Sequence, residues 1–557
     1  MTRINVLLLG VLSASAAGCL GGATDASATD ETALAGGQKA VYLDQGWDPA
    51  TRATFYSLSQ GSRMVPYSWF VNLEQANSPI RLADAKNMQR MGWIVDGPSS
   101  TNPDGLPVGF ARDIDPVRGD ALGLTCAACH TGQVNYHGSA VRIDGGQSLG
   151  DLEQLQNALL ASLQATLADN AKFQRFANKV LGTGAASTSL ATLQAQLEDK
   201  TAWWAARVAR SRGLSPHGPS RTDAFTIIGN EVVCRMLGVA ANCVTPVAPT
   251  EFPYLWNTPD FEWVQYNSSV HSPIGRNVGE VTGVFAEASI DPNGVASTAN
   301  IPNMDTLENS LKLLHAPAWP ENIFGRINQE RAAAGKVLFD SACASCHTED
   351  PQPRTAPNAY GVTFAEVNFS TPLSVLGTDP SAAMMFATRR ADPGPWTPIA
   401  QAQGLIGPDG KAPVAALLSI SGTMIIQRFF AAAQLTPMQE LYYLGFRESR
   451  TPTVAQITTY KARPLKGVAF TAPYLHNGSV PSLYQLLLPS AQRVKQFYVG
   501  PKQEFDPEVV GYETGEEDNS VLIDTTLPGN SNAGHEFGTN FTDDQRVAVI
   551  EYMKTLQ

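Results

Sequence analysis

Two short runs, Cys126-Ala127-Ala128-Cys129-His130 and Cys343-Ala344-Ser345-Cys346-His347, carry more chemistry than any other part of this chain. Two cysteines separated by two residues and followed at once by histidine form the attachment pattern of a c-type haem. Both thiols add to the porphyrin vinyl groups, and the histidine becomes an axial ligand to the iron. The spacing has a physical reason: two intervening residues let both sulfurs reach one edge of the macrocycle, and the next residue sets its imidazole beneath the metal. Either run taken singly also fits a redox dithiol or half of a zinc site. Two copies argue against those readings, because a four-cysteine zinc site would have to join pairs much farther apart in sequence than such pairs usually lie. The chain therefore reads as a carrier of two covalently bound c-type haems with iron, held by Cys126, Cys129, His130, Cys343, Cys346 and His347.

The position opposite each motif histidine decides the chemistry. A second strong ligand makes an electron carrier, whereas an open position binds peroxide or dioxygen. Six further histidines are present: His137, His217, His271, His315, His476 and His535. His137 follows His130 too closely to reach the opposite face of the same haem. His476 and His535 both sit in glycine-containing turns after the second motif, so each is a candidate iron ligand there. Bonding to backbone is the alternative for both, and Met424 and Met438 are weaker rivals. Beside the first haem the informative stretch is 252–285, with Trp256, Trp263, Tyr266, His271, Arg276 and Phe285. Aromatic side chains over an iron would exclude water and give an apolar substrate a slot, or they simply fill a core. Trp256, Trp263 and His271 are taken as the catalytic candidates. Glu280 or His271 could supply the acid/base group that peroxide chemistry requires.

Several elements must position these residues. Leucines 155, 159, 163 and 167 recur at four-residue spacing and predict helices over 152–180, with another over 190–208 around Trp203 and Trp204. The stretch 249–303, rich in Pro, Asn, Gly and aromatics, reads as a long ordered loop system. A short helix over 330–340 runs into the second motif, and Thr542 caps a closing helix with Val547, Ile550 and Met553 on one face. Gly335 would let those two helices cross closely, with Tyr552 as the aromatic partner. No heptad pattern or membrane-spanning segment is evident. The expected fold is mainly α: two cytochrome c-type haem domains, residues 38–322 and 323–557, with long loop insertions and few short strands.

The chain has 557 residues and a formal charge of -12, which argues against nucleic acid or an anionic membrane surface as partner. Only 16 % of residues are charged, against roughly 25 % in an average domain, and this suits a loop-rich secreted protein. The start agrees. Arg3 precedes the apolar run 4–12, small residues fill 13–18, and Cys19 follows, so residues 1–19 read as a signal peptide. The apolar run is too short to span a bilayer. Ala16-Ala17-Gly18-Cys19 resembles a lipoprotein cleavage box, with Ala16 where leucine is usual; ordinary signal cleavage nearby is the alternative. Lipidation at Cys19 would anchor the protein to the outer membrane, and residues 20–37 read as a flexible tether. Either route places the protein in the periplasm or outside the cell. In that setting Cys234 and Cys243 are a candidate disulfide, with two free buried thiols as the alternative.

Pro464-Leu465 followed by Thr471-Ala472-Pro473-Tyr474-Leu475-His476-Asn477-Gly478-Ser479 resembles the signature loop of the bacterial di-haem cytochrome c peroxidase superfamily. The stretches Thr131-Gly132-Gln133, Arg142-Ile143-Asp144-Gly145-Gly146 and Asn532-Ala533-Gly534-His535-Glu536-Phe537-Gly538 are most similar to its rubber-oxygenase-like branch, which includes di-haem fatty acid dioxygenases. The region 150–250 carries little of the likeness. The resemblance implies two haem domains close enough to exchange electrons, with dioxygen held at the haem of His130 and two histidines on the iron of His347. His535 is then the second ligand and His476 a loop residue, while Trp256, and after it Trp263, flanks the reactive haem. His271 falls where an aromatic distal residue is expected, and a contact with iron there would weaken the oxygenase reading. Two activities stay open: oxygenation of an apolar alkene by dioxygen, and reduction of hydrogen peroxide by a small donor cytochrome. A non-catalytic di-haem electron-transfer cytochrome is the reading from a different class.

Overall fold

The computed structural model describes residues 30–33, 39–347, 353–367, 371–447 and 450–557. The expected signal peptide, Cys19 and most of the expected tether lie outside the described residues. Within the tether stretch, Asp30–Ala33 forms a strand that pairs antiparallel with Lys39–Tyr42.

The first motif is followed directly by a β-hairpin. Thr131–Tyr136 pairs antiparallel with Ser139–Asp144, and Lys39–Tyr42 adds to the latter in parallel. The two-residue turn is His137-Gly138, both at positive φ, 48° and 86°. That conformation matches the right-handed twist of the strands. It makes His137 a turn residue whose ring stacks on Tyr136 at 4.0 Å. At the end of the hairpin the buried carboxylate of Asp144 accepts from Arg52 Nε at 2.7 Å and from the Tyr56 hydroxyl at 2.5 Å. The segment leaving the first motif is thereby tied to the helix Pro49–Ser57.

Helices Leu152–Ala168, Asn170–Leu181 and Ser187–Ser211 form a packed group. Leu155, Leu159 and Leu163 are fully buried along the stripe that the four-residue spacing sets up, and Trp204 of the third helix is fully buried too. Asp151 and Asp169 cap two of these helices by accepting backbone N–H bonds.

The stretch 249–303, expected as loop, carries regular structure. A helix, Pro273–Gly283, starts at Ser272, whose hydroxyl accepts from the Gly275 N–H, with Pro273 at the first turn. A hairpin, Ala288–Asp291 with Gly294–Ser297, follows. The glycines and β-branched residues of that helix lower its intrinsic propensity. Burial of Ile274, Val278 and Val281 against the helix Val414–Ala433 offsets this. Val414–Ala433 has mean hydropathy 1.5 and is long and apolar enough to cross a membrane, a property that core helices share. Here Leu417, Ile420, Ile425, Ile426 and Phe430 are buried. Nearby, Cys234 and Cys243 form a disulfide.

The helix Gln329–Ala342 leads into the second motif and crosses the closing helix Asp543–Met553. At the crossing a side chain on Gly335 would run into the Ala548 carbonyl, so only glycine permits the approach. Phe339 packs against Tyr552 at 5.1 Å, and Thr542 with Gln545 completes a reciprocal cap. One apolar core borders both motifs. It joins Ala127, Ile143 and Trp256 to Phe339, Phe470, Val549 and Met553.

Candidate functional site

The first motif occupies one helical turn, Cys126–Cys129, after which the chain leaves helical geometry at His130. The imidazole Nδ1 of His130 lies 2.7 Å from the Pro253 carbonyl. A carbonyl can only accept, so Nδ1 bears the proton and Nε2 is left with its lone pair for a metal. Burial pushes this imidazole down to about 4, which keeps it neutral. Beside it, Cys126 Sγ meets Gln60 Oε1 at 3.7 Å, and Gln60 Nε2 sits 3.4 Å from Glu280 Oε1. Burial first, and the Glu280 charge second, raise the thiols of Cys126 and Cys129. Nucleophilic or zinc-binding cysteines need the opposite, a setting that favours thiolate. Glu280 is itself pushed up to about 7 by burial.

At the second motif, His347 Nδ1 lies 2.7 Å from the Arg463 carbonyl, the same arrangement as His130 with Pro253. Its ring faces that of His535 at a centroid distance of 6.3 Å. Metal–imidazole bonds are about 2 Å long and the ring centre lies roughly 1 Å behind its nitrogen, so two imidazoles on one iron stand about 6 Å apart. The pair fits a shared metal. His535 is held in place from behind. It adopts a left-handed conformation, φ 51°, and its N–H donates to the Leu376 carbonyl at 2.7 Å. Gly534 packs so tightly on Gly377 and Thr378 that a side chain would collide with their backbone. Arg493, buried, donates to the carbonyls of Asn532 at 2.7 Å, Gly534 at 2.8 Å and His535 at 3.3 Å. His535 Nδ1 is buried without a hydrogen-bond partner. Burial, then the neighbouring His347, drive the His535 imidazole down to about 3.

The two sites meet along a pair of segments, residues 253–256 and 463–466. Arg463 donates to the Tyr254 carbonyl at 2.9 Å and the Trp256 carbonyl at 3.3 Å, and its guanidinium lies 3.6 Å from the Tyr254 ring centre. In return the Tyr254 hydroxyl donates to the Pro464 carbonyl and Trp256 Nε1 to the Lys466 carbonyl, each at 2.8 Å. Around Phe261 gather three basic side chains, Lys461 at 5.2 Å and Arg463 at 5.3 Å from its ring, with Arg447 donating to its carbonyl at 2.9 Å. Neither Lys461 nor Arg447 forms an ion pair among the described residues, and burial holds the Lys461 amine well below its ordinary value. With each motif histidine holding its proton toward a backbone carbonyl and two cysteines just ahead of it in sequence, the donor set at both motifs fits a c-type haem.

The remaining candidates sit in several different settings. Trp256 is fully buried, stacked on Tyr254 at 4.6 Å. Trp263 meets His271 edge-on at 4.9 Å, and His271 Nε2 bonds to the backbone of Arg450. His476 stacks on Tyr460 at 3.8 Å, with Tyr266 edge-on to it. Met424 packs on Gly294 at the hairpin tip, and Met438 is largely exposed. Gln60, Pro253, Arg463 and Arg493 escaped sequence reasoning. Pro253 and Arg463 act through backbone carbonyls, which have no signature in residue type.

Residues 459–498 match a family described as RoxA-like, cytochrome c-like. That segment contains Arg463, His476 and Arg493. It supports a c-type haem with iron in this chain and a haem-type oxidoreductase or electron-transfer role. The chain is 32 % identical over 576 residues to the uncharacterized protein y4iJ of Sinorhizobium fredii (strain NBRC 101917 / NGR234), covering 93 % of both chains. It is 24 % identical over 328 residues to the uncharacterized protein y4iM of the same organism, covering 55 % of this chain and 64 % of that relative.

Proposed function

This chain belongs to the family of the Sinorhizobium protein y4iJ, and on that premise we propose that it is an exported di-haem c-type cytochrome oxidoreductase that activates dioxygen or peroxide at its first motif. The second motif, with two imidazoles, passes electrons. The observation that carries the reading is the asymmetry between equivalent histidines. His347 is paired with His535 at 6.3 Å, while among the described residues no second imidazole pairs with His130. Bound haem would supply a redox-active iron, closed at one site and open to a small ligand at the other.

The residues of the chain do the rest. Pro253 and Arg463 hold the proton on Nδ1 of each motif histidine, fixing ring tautomer and orientation. Glu280, close to half protonated near neutral pH, can hold or release a proton at its Oε atoms beside the attachment thiols, as peroxide chemistry requires. The buried aromatic seam around Trp256 and Trp263 excludes water and suits an apolar substrate such as an alkene.

Visible and electron paramagnetic resonance spectra of the purified holoprotein test this, recorded before and after adding cyanide or imidazole. A ligand-induced change at one haem only is the expected result. If neither responds in the oxidised or half-reduced protein, both irons are closed and the chain is a non-catalytic electron-transfer cytochrome.

A further inference from the structure

We infer that Arg463 is a positioning residue shared by both motif histidines, so that the two haem sites are oriented as one unit. This rests on the di-haem reading above and deepens it. The geometry runs in one unbroken chain of bonds. The Arg463 carbonyl accepts from His347 at 2.7 Å. Its guanidinium fork grips the carbonyls of Tyr254 and Trp256 at 2.9 and 3.3 Å. Tyr254 is covalently next to Pro253, whose carbonyl accepts from His130 at 2.7 Å. The contacts of Tyr254 with Pro464 and of Trp256 with Lys466 close the strap from the other side. Proline at 253 has no N–H and a fixed φ, so its carbonyl takes its direction from the residues that follow, the ones Arg463 holds.

The carbonyl bond to Nδ1–H sets how strongly an imidazole donates to its metal. A strap that fixes both acceptor carbonyls therefore tunes both sites together. Lysine would keep the charge but lose the fork, since a single ammonium cannot hold two carbonyls in one plane.

The test uses the full-length holoprotein carrying Arg463→Lys, and separately Trp256→Phe, which keeps an aromatic ring but loses the bond to Lys466. Haem content, measured as the pyridine haemochrome, is read first. A wild-type chain without two attached haems refutes the di-haem reading itself. Potentiometric titration and electron paramagnetic resonance then read each haem. With the carbonyl of Pro253 loosened, His130 donates less and the oxidised iron is less stabilised. Arg463→Lys is expected to shift the reduction equilibrium of the N-terminal haem toward the reduced form by about tenfold, about 59 mV for one electron, with a change at the C-terminal haem as well. Trp256→Phe shifts the N-terminal haem in the same direction by a smaller factor, and decides the matter if Arg463→Lys does not fold. The inference is overturned if the N-terminal potential and signal stay at wild-type values while only the C-terminal haem, or only the melting temperature, moves.

Discussion

Around the second motif, His347 looks across 6.3 Å at His535, and an arginine and two abutting glycines lock that partner in place. Around the first, the polar neighbours include Gln60 and a carboxyl raised to about 7, Glu280, with Arg276 and Glu308 close enough to act on Cys126. The proximal halves are nearly alike, each with an imidazole held by a backbone carbonyl at 2.7 Å. The contrast teaches that a motif and the carbonyl contact of its histidine can be repeated within a chain while the surroundings of the two imidazoles differ.

The strongest way to break this contrast is to open the closed site. His535→Ala should leave the second iron with one imidazole, so that cyanide or imidazole then perturbs both haems; an unchanged response at the second haem would show that His535 is not its ligand. Next in effect is the scaffold of that site. Gly335→Val forces a side chain into the Ala548 carbonyl at the helix crossing. It should cost about 3 kcal/mol, the upper end for overpacking, read as a lower denaturant midpoint with the C-terminal haem signal lost first. An unaffected midpoint would mean the helices separate without penalty.

The first site is sharpened by Glu280→Gln. In the folded protein this carboxyl sits at about 7, above the ordinary 4.5 it regains on unfolding. The folded state therefore binds the extra proton between those values, and the stability from that group is fully present below pH 4.5 and lost as pH rises through about 7. The variant should flatten this decline, gaining up to about 3 kcal/mol over the wild type at pH 8 at roughly 1.4 kcal/mol per unit. Parallel pH profiles of melting temperature would contradict the assignment. Removing the Cys234–Cys243 disulfide should have the smallest bearing on the contrast. It closes a short loop, sequence separation 9, and its loss should cost about 2–3 kcal/mol while the spectra of both haems stay as they were.

The parts of this architecture visible in the sequence are those with a period or a fixed local pattern. Leu155, Leu159 and Leu163 recur every four residues and are buried along one helix. Gly335 and Tyr552 both lie at the crossing that their positions suggest. The helix Pro273–Gly283 was hidden by its glycines, since burial against Val414–Ala433, rather than local propensity, stabilises it. The hairpin after the first motif hangs on His137-Gly138, a turn pair outside the commonest signals. Similarly, Trp256 and Trp263 stood out as aromatic residues, but nothing local announced that they would bond to residues about 200 positions away, Lys466 and Lys461.

What the sequence determined by itself is the local grouping of each Cys-x-x-Cys-His motif. Cys126, Cys129 and His130, like Cys343, Cys346 and His347, are close in the chain, so one turn of backbone suffices to arrange them. Only the tertiary structure decided what each histidine leans on and what it faces. Pro253 reaches His130 from 123 residues away, Arg463 reaches His347 from 116, and His535 arrives on a turn that Arg493 and Gly377 hold. Those contacts depend on carbonyl directions and close backbone approaches, which residue identity does not encode and which exist only once the core has packed.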